Sequence, residues 1–583
     1  MTFTRTVYKT FRQTPFFEVV PFSLKRFSIF IVGIVMILCP WTVSANSIST
    51  TNKGYVIDSL TLVVDGDVAP FNQIQPGDTL FLKPGVRQNL LIIHLNGSPD
   101  KPVIISNNGG VVIINTDSYY GISIRESRYF RLTGQGSEAD FYGIRIERVA
   151  GGAGIGVNDM CSDFEIDHVS IENTLLGGLY AKTDPNCSTP STRDKFTQFN
   201  TIIHDNHIAQ VGNEGMYIGS TKYFGTTENY NGRDTLLLPS LLDGVRIYNN
   251  IVEYSAWDGI QVSSASNDCR IYGNLVLYDS QEGYYSQMSG IMIGGGSKCD
   301  CYNNYIGEGK GSGIESHGLG GYRIFNNIIV DAGRSYLPLD STERKHGIYV
   351  SDISVEKDSS VNILFNDIIN PKSDGIRFES VVGRNNVLSS NLILNPGSYD
   401  VYENDNTSYT GEDAYVMIPG LTADVAQKNN FKSRTIASAG ISLTDFKPLI
   451  GSPLIDAAAT DLMGVTFDYR YAARLNGVKA DIGAFEYDHS QDIDTVDLLK
   501  NSTAYPNPVR SLLTIRFSSD SATEASLLIY DLSGILLMKE HKAYQPGGNQ
   551  DIKIQVNNLP NGIYLYSLYC GGNVQSGKFI KIG

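Results

Sequence analysis

A six-residue segment recurs through the middle of the chain. Its clearest copies are Ile247-Tyr248-Asn249-Asn250-Ile251-Val252, Ile271-Tyr272-Gly273-Asn274-Leu275-Val276, Cys301-Tyr302-Asn303-Asn304-Tyr305-Ile306 and Ile324-Phe325-Asn326-Asn327-Ile328-Ile329. Weaker copies cover 203–208, 364–369 and 388–393. The polar column reads Asn206, Asn250, Asn274, Asn304, Asn327, Asp367 and Asn391, with spacings of 44, 24, 30, 23, 40 and 24. A second segment, Gly-Ile-x-Ile or a close variant, falls between these copies at Gly215, Gly259, Gly290, Gly313, Gly347 and Gly375, with earlier copies at 121–124 and 143–146.

A strand of four or five residues cannot bury its apolar face alone. Stacked on like strands from neighbouring coils, it can. Coils of 23–24 residues with two or three short strands and Gly or Asn corners predict an all-β chain, a parallel β-helix in which the asparagines form an internal ladder. The longer spacings mark insertions near 220–242 and 331–346, which on a solenoid usually build one functional face.

Charge restricts the partners. The 583 residues hold 46 Lys+Arg against 61 Asp+Glu. Residues 1–45 contain five basic side chains and one acidic one, which leaves 41 against 60 beyond them. Such an acidic chain lacks the basic footprint of a nucleic-acid binder. Lys25-Arg26 precede an apolar run from Phe27 to Val43 that ends in Val43-Ser44-Ala45. This reads as a signal peptide over 1–45, with a retained anchor as the alternative and no transmembrane span once the signal is removed. Six cysteines follow it, at 161, 187, 269, 299, 301 and 570. Cys161–Cys187 is a candidate disulfide across a loop, and Cys269, Cys299 and Cys301 read as small core residues.

The repeat, together with Gln75-Pro76-Gly77-Asp78-Thr79-Leu80 at its start, resembles the right-handed β-helix, pectin-lyase-like superfamily over roughly 55–440. Gly451-Ser452-Pro453-Leu454 and Asp481-Ile482-Gly483-Ala484-Phe485-Glu486-Tyr487 resemble the closing segment after many exported bacterial β-helices, read as a cap over the last coil's open edge. Tyr505-Pro506-Asn507-Pro508, Asn561-Gly562-Ile563-Tyr564 and the basic end Lys578-Phe579-Ile580-Lys581 resemble the carboxyl-terminal sorting domain of the type IX secretion system. The domains are then a signal peptide (1–45), the helix with its amino-terminal cap (46–440), the closing segment (441–487), a linker (488–502) and a small β-sandwich sorting domain (503–583). This second resemblance implies handling by the type IX machinery and a secreted or outer-surface location in a Gram-negative bacterium.

In Gly-Ile-x-Ile the flanking apolar residues point inward, so x points out. That outward column is Tyr217, Gln261, Met292, Glu315, Tyr349 and Arg377. Glu315, His317, His346, Tyr349 and Arg377 should share one face across three coils, with Lys345 beside them. A polysaccharide lyase needs a cation for the uronate carboxylate, a base and an acid. Arg377, either His317 or His346, and Tyr349 supply those types. The plain alternative is a solvated polar face. Glu214 and Asp258, on adjacent coils, suit a paired-carboxylate glycosidase or a calcium site, or are simple turn residues. Trp257 is placed to stack on a sugar ring or to cap a loop, and Tyr217, Gln261 and Lys345 join it as candidate substrate contacts. His204 and His207 read as structural, on opposite sides of one strand.

The functional expectation is a protein that binds an extended polysaccharide and degrades it by lyase or hydrolase chemistry. The alternative is a non-catalytic adhesin or glycan-binding scaffold.

Overall fold

The computed structural model describes residues 52–336, 344–397, 414–419, 422–489, 500–518, 524–530, 536–544, 549–570 and 573–581. The expected signal peptide (1–45) and most of the expected linker (488–502) lie outside them. Two compact units divide the chain, one reaching Glu486 apart from residues 443–445, the other containing Tyr487 onward. Among the described residues the only helical pieces named are short 3-10 turns such as Phe71–Gln73 and Ile436–Ala439, and no helix is long and apolar enough to cross a membrane.

The first unit is the expected stack of coils. Each coil contributes one strand to each of three parallel sheets of 13, 12 and 12 strands, here sheets I, II and III in the order the chain visits them. One full coil runs Leu241–Tyr248 (sheet I), Ile251–Ser255 (sheet II) and Ile260–Val262 (sheet III) before Ala265–Tyr272 returns to sheet I. Alternate residues of all three sheets point inward and form one continuous aliphatic core from Ile57 to Val416. Gly121 belongs to sheet III as expected. The segment 143–146 does not, because its strand Ile144–Val149 pairs within sheet II.

Two columns set the coil geometry. At the corner from sheet I to sheet II stand Asn206, Asn250, Asn274, Asn304, Asn327, Asn366, Asn391 and Asn430. Each Nδ2 donates to the next Oδ1 at 2.9–3.1 Å. Asn274 shows how completely the amide is used. Its Oδ1 accepts from the backbone N–H and Nδ2 of Asn250, while its Nδ2 donates to Asn304 Oδ1 and the Ile247 carbonyl. A neutral amide has two donors and two acceptor sites, so nothing is left unpaired in the core. The ladder passes through Asn366 and not Asp367, which corrects the sequence register by one residue. Asp367 takes the place that Ile328 holds one coil earlier, and its carboxylate accepts from the Ala484 N–H of the closing segment at 2.8 Å. Burial raises its pKa to about 7.

The second column is glycine, between sheets II and III. A β-carbon at Gly215, Gly259, Gly313 or Gly347 would stand 2.4–2.5 Å from a methyl of Val252, Val276, Ile329 or Ile368 and 2.5 Å from the next coil's glycine carbonyl. Real β-carbons do not approach so closely, so the corner excludes every side chain.

Three other expectations change. Cys269 pairs with Cys299, not Cys161 with Cys187. The two stand opposite each other on adjacent sheet I strands inside the core, and Cys161 and Cys187 are free. His204 ends a sheet I strand and His207 begins a sheet II strand, so they flank a corner and do not share a strand. His204 stacks on Tyr248 and contacts Asp205 and Glu165; burial opposes its charge, but these carboxylates hold its pKa up to about 9. The closing segment does more than cover an end. Its stretch 457–486 runs back along the sheet I–II corner, where Asn303 and Asn326 donate to the carbonyls of Tyr469 and Phe467 and buried Arg474 bridges Glu486 and Asn326. Side-chain amides at those left-handed corners offer donors that an end cap would not use.

The second unit packs a three-stranded antiparallel sheet (Lys500–Tyr505, Leu512–Ser518, Asn549–Gln555) with a four-stranded one (Leu536–Ala543, Glu524–Tyr530, Gly562–Cys570, Asn573–Lys581) around Leu513, Ile515, Leu527, Ile529, Leu568 and Phe579. It is the small β-sandwich expected from the alternating strands.

Truncating the ladder at Asn304 leaves the backbone N–H and one amide hydrogen of Asn274 unpaired in the core and takes one of two donors from the Asn327 oxygen. Asn304→Ala is expected to cost about 2–4 kcal/mol in urea unfolding. A loss below about 1 kcal/mol would mean that solvent replaces the ladder bond.

Candidate functional site

Sheet III carries the outward column in register: Tyr180, Tyr217, Gln261, Met292, Glu315, Tyr349 and Arg377 face one another strand by strand. Irregular segments border this face on both sides. Residues 278–288, 331–336 and 344–347 lead into it from sheet II, and 219–240, 294–298 and 351–360 lead out to sheet I. The outgoing insertion 219–240 includes an antiparallel hairpin, Thr226–Tyr230 with Arg233–Leu237.

The structure brings Glu315, His317, His346, Tyr349 and Arg377 together on three successive strands. His317 Nε2 lies 3.3 Å from Glu315 Oε2, and its Nδ1 lies 2.6 Å from Ser351 Oγ. The Tyr349 ring stacks on His346 at 5.7 Å and meets His317 edge-on at 5.9 Å. Two carboxylates that flank this set define its electrostatics. Arg377 donates from Nε to Glu379 at 2.6 Å and from Nη1 to Asp374 at 3.3 Å, and Tyr349 donates its hydroxyl to Glu379 at 2.7 Å. His346 Nδ1 lies 3.2 Å from Asp374 Oδ2. Burial works against the guanidinium charge, but Glu379 and Asp374 outweigh it and hold the Arg377 pKa above its ordinary value. Tyr349 is pushed up by burial and by Glu379, so it stays protonated. Lys345 is buried, with Nζ 5.7–5.8 Å from the Tyr336 and Tyr285 ring centres.

The carboxyls of this face divide into two states. Burial alone would raise Glu315, yet the His317 hydrogen bond and the charges of His317 and Lys345 hold its pKa below the ordinary value. Asp258 goes the other way. Burial drives it well above its ordinary value, with Glu315 and Glu214 adding to the rise. Its Oδ1 accepts from the N–H and hydroxyl of Ser289 at 2.7 and 2.8 Å, and its Oδ2 has no partner among the described residues. Glu214 is also raised by burial, and its strand is in register with that of Asp258 on the adjacent coil. Asp279, from the 278–288 insertion, is raised by burial to about 6 and also feels Glu315. Opposed shifts of this kind are how one site holds an acid and a base at the same pH.

Trp257 does not present a bare ring. It stacks on Tyr284 at 4.7 Å, and Tyr284 and Tyr285 stand exposed beyond it. Tyr217 lies under Lys182, whose Nζ is 4.7 Å from the ring centre. Gln261 is fully buried, with neither end of its amide paired among the described residues. Among the described residues, the groups of three or more ligand-type side chains close enough to share an ion are Asp65, Asp67 and His94, and Glu165, Asp167 and His204. Neither group includes Glu214 or Asp258. Arg131 is paired with both Glu165 and Asp167, so the second group already holds its cation.

Sequence alternation found the floor of this site. It missed Asp279, which lies in an aperiodic insertion, and the roles of Asp374, Glu379 and Ser289, whose partners depend on coil register. Because the folded pKa of Asp279 is raised, its contribution to stability is present near pH 4 and is lost as pH rises through about 6. Asp279→Asn is expected to remove a loss on the order of 2–3 kcal/mol between pH 4 and 7, read as a flatter dependence of Tm on pH than the parent shows.

Residues 240–413 match the family described as right-handed beta helix region, and residues 503–582 match the secretion system C-terminal sorting domain. No curated protein sequence matches the chain. Similar solved structures include pectate lyase Pel9A, with TM-score 0.38, 12% identity and coverage of 75% of this chain and 97% of that one. They also include an alginate lyase from Paenibacillus sp. str. FPU-7, with TM-score 0.31, 13% identity and coverage of 65% and 99%. A third is the GH136 lacto-N-biosidase from Eubacterium ramulus, with TM-score 0.38, 12% identity and coverage of 65% and 68%. The stacked parallel coils and the two family matches together make this chain a right-handed parallel β-helix protein that carries a carboxyl-terminal type IX sorting domain and is exported to the cell surface or beyond.

Proposed function

We propose that the protein is a hydrolase of an extended, largely uncharged polysaccharide, acting on the outer face of sheet III. The observation that carries this reading is the contrast between two carboxyls of one face: Glu315 lies 3.3 Å from His317 Nε2 and is drawn below its ordinary pKa, while fully buried Asp258, bound through one oxygen to Ser289, is pushed above its own. Glycoside hydrolysis needs that pair: an acid to protonate the departing glycosidic oxygen and a carboxylate to activate water or attack the sugar. Asp258 Oδ2 carries the transferable proton, since Oδ1 is taken by Ser289. Glu315 is the base or nucleophile, and His317 positions it.

Lyase chemistry fits less well. Elimination from a uronate needs a cation free to meet the substrate carboxylate, and Arg377 is already engaged by Glu379 and Asp374. Tyr349 points its proton at Glu379. With Asp374, Glu315 and Glu379 against Arg377 and Lys345, the face would also disfavour a polyanion. Asp258 is fully buried, gives one oxygen to Ser289 and belongs to no cluster of three ligand-type side chains among the described residues, so activity in EDTA is expected to persist. The sorting domain supports delivery through the outer membrane of a Gram-negative bacterium, where such a glycan is met outside the cell.

Incubation with neutral and uronate polymers is expected to release reducing ends from a neutral one and to give no ultraviolet absorbance of an unsaturated uronate. Glu315→Gln is expected to lower kcat at least ~100-fold with an unchanged circular dichroism spectrum. Unsaturated product would restore the lyase reading. Saturable glycan binding without any turnover would make the protein an adhesin or scaffold.

A further inference from the structure

Six buried side-chain polar atoms that lack a partner among the described residues lie at one level of the coil stack. They are Trp257 Nε1, Asp258 Oδ2, Gln261 Nε2 and Oε1, Ser263 Oγ and Gln287 Oε1. Four of the five residues fall within one coil, between 257 and 263, and Gln287 enters the next coil two residues before Ser289, the partner of Asp258. Gln261 and Ser263 are two apart on one extended strand, so both face outward. An orphaned buried polar group costs about 1–3 kcal/mol, and a cluster of them on one coil is not tolerated without a purpose.

The surroundings enclose these atoms without pairing them. A β-carbon at Gly294, the next-coil neighbour of Ser263, would sit 2.0 Å from the Ser263 hydroxyl, so only glycine leaves that hydroxyl space. Tyr223 packs on Gly295 and Gly296 from the outgoing side, and Ile353 and Ser354 approach Gly295 from a later loop. On the incoming side, Tyr284 covers Trp257.

The chemistry of the set is mixed. Gln261 offers two donors and an acceptor, Trp257 one donor, Ser263 a hydroxyl that does both, and Gln287 an acceptor. Each sugar hydroxyl also both donates and accepts, so a polyol can satisfy all of them. A carboxylate would leave the Gln261 and Gln287 oxygens unpaired and would place a second negative charge near Glu315. A bare cation would leave the donors unpaired. The neighbouring cation, Lys182, is held by Asp184 at 2.9 Å.

We propose that Trp257, Asp258, Gln261, Ser263 and Gln287 form a subsite that takes one uncharged sugar ring and sets the neutrality of the glycan. The inference rests on the hydrolase reading above, and it goes further in naming the residues that select the sugar.

The test uses the secreted protein and Trp257 fluorescence, since the other tryptophan, Trp41, lies in the amino-terminal apolar run. The probes are methyl glycosides of neutral hexoses, pentoses, 6-deoxyhexoses and N-acetylhexosamines, with glucuronate and galacturonate as charged arms. At least one neutral glycoside is expected to give a saturable change and to bind at least tenfold more tightly than either uronate. Gln261→Met keeps the shape and removes both orphaned atoms. It is expected to weaken neutral-sugar binding at least tenfold while leaving Tm unchanged or higher. A lowered Tm with sugar binding intact would make Gln261 a structural residue bridged by water and would overturn the proposal. Full glycan turnover in Gln261→Met would overturn the subsite but leave the hydrolase reading standing. Absence of both binding and turnover in the parent protein would overturn that reading and the subsite with it.

Discussion

The buried asparagine ladder is the constraint on which the coil stack depends. Aliphatic burial favours stacking but is indifferent to register, because one inward methyl serves about as well as another. The amide column is not indifferent. Each side chain joins its neighbours above and below and closes its own corner, so a slip of one residue would leave several buried polar groups unpaired. The glycine column acts in the opposite sense, by exclusion: no side chain fits where one coil passes the carbonyl of the next. One column rewards the correct alignment and the other forbids bulk at the next corner, and between them they bring Glu315, Tyr349 and Arg377 into line on sheet III.

Both columns were legible in the sequence because the physical demand at each corner admits one residue type. The reading slipped at Asp367 for a physical reason. That position is aliphatic in the two adjacent coils, Ile328 and Leu392, but here an acid accepts from the Ala484 N–H, a partner more than a hundred residues away. The Cys269–Cys299 pair was hidden in the same way. Its geometry exists only once two strands are laid side by side; the sequence alone showed Cys269 and Cys299 as small core residues and Cys161–Cys187 as the candidate bridge.

The candidate site was readable to the depth that alternation reaches. Period two placed Glu315, Tyr349 and Arg377 outward, and the spacing of the coils put them side by side. What surrounds them was not readable. Asp279 comes from an insertion with no period, and the capture of Arg377 by Glu379 and Asp374 is a matter of side-chain direction. This difference changes the chemistry. Read as an open cation, Arg377 suited a uronate; read with its partners, it belongs to a self-neutralised network, and the opposed states of Asp258 and Glu315 become the more informative feature.

Amide hydrogen exchange along the first unit tests the central claim most directly. Each ladder asparagine gives its own backbone N–H to the next amide oxygen in the core, so the corners at Asn250, Asn274, Asn304, Asn327 and Asn366 should exchange only by global opening, and all at one common slow rate. Exchange at those corners as fast as in the 219–240 or 351–360 loops would contradict the account, because the stack would then be held by its aliphatic core without the ladder.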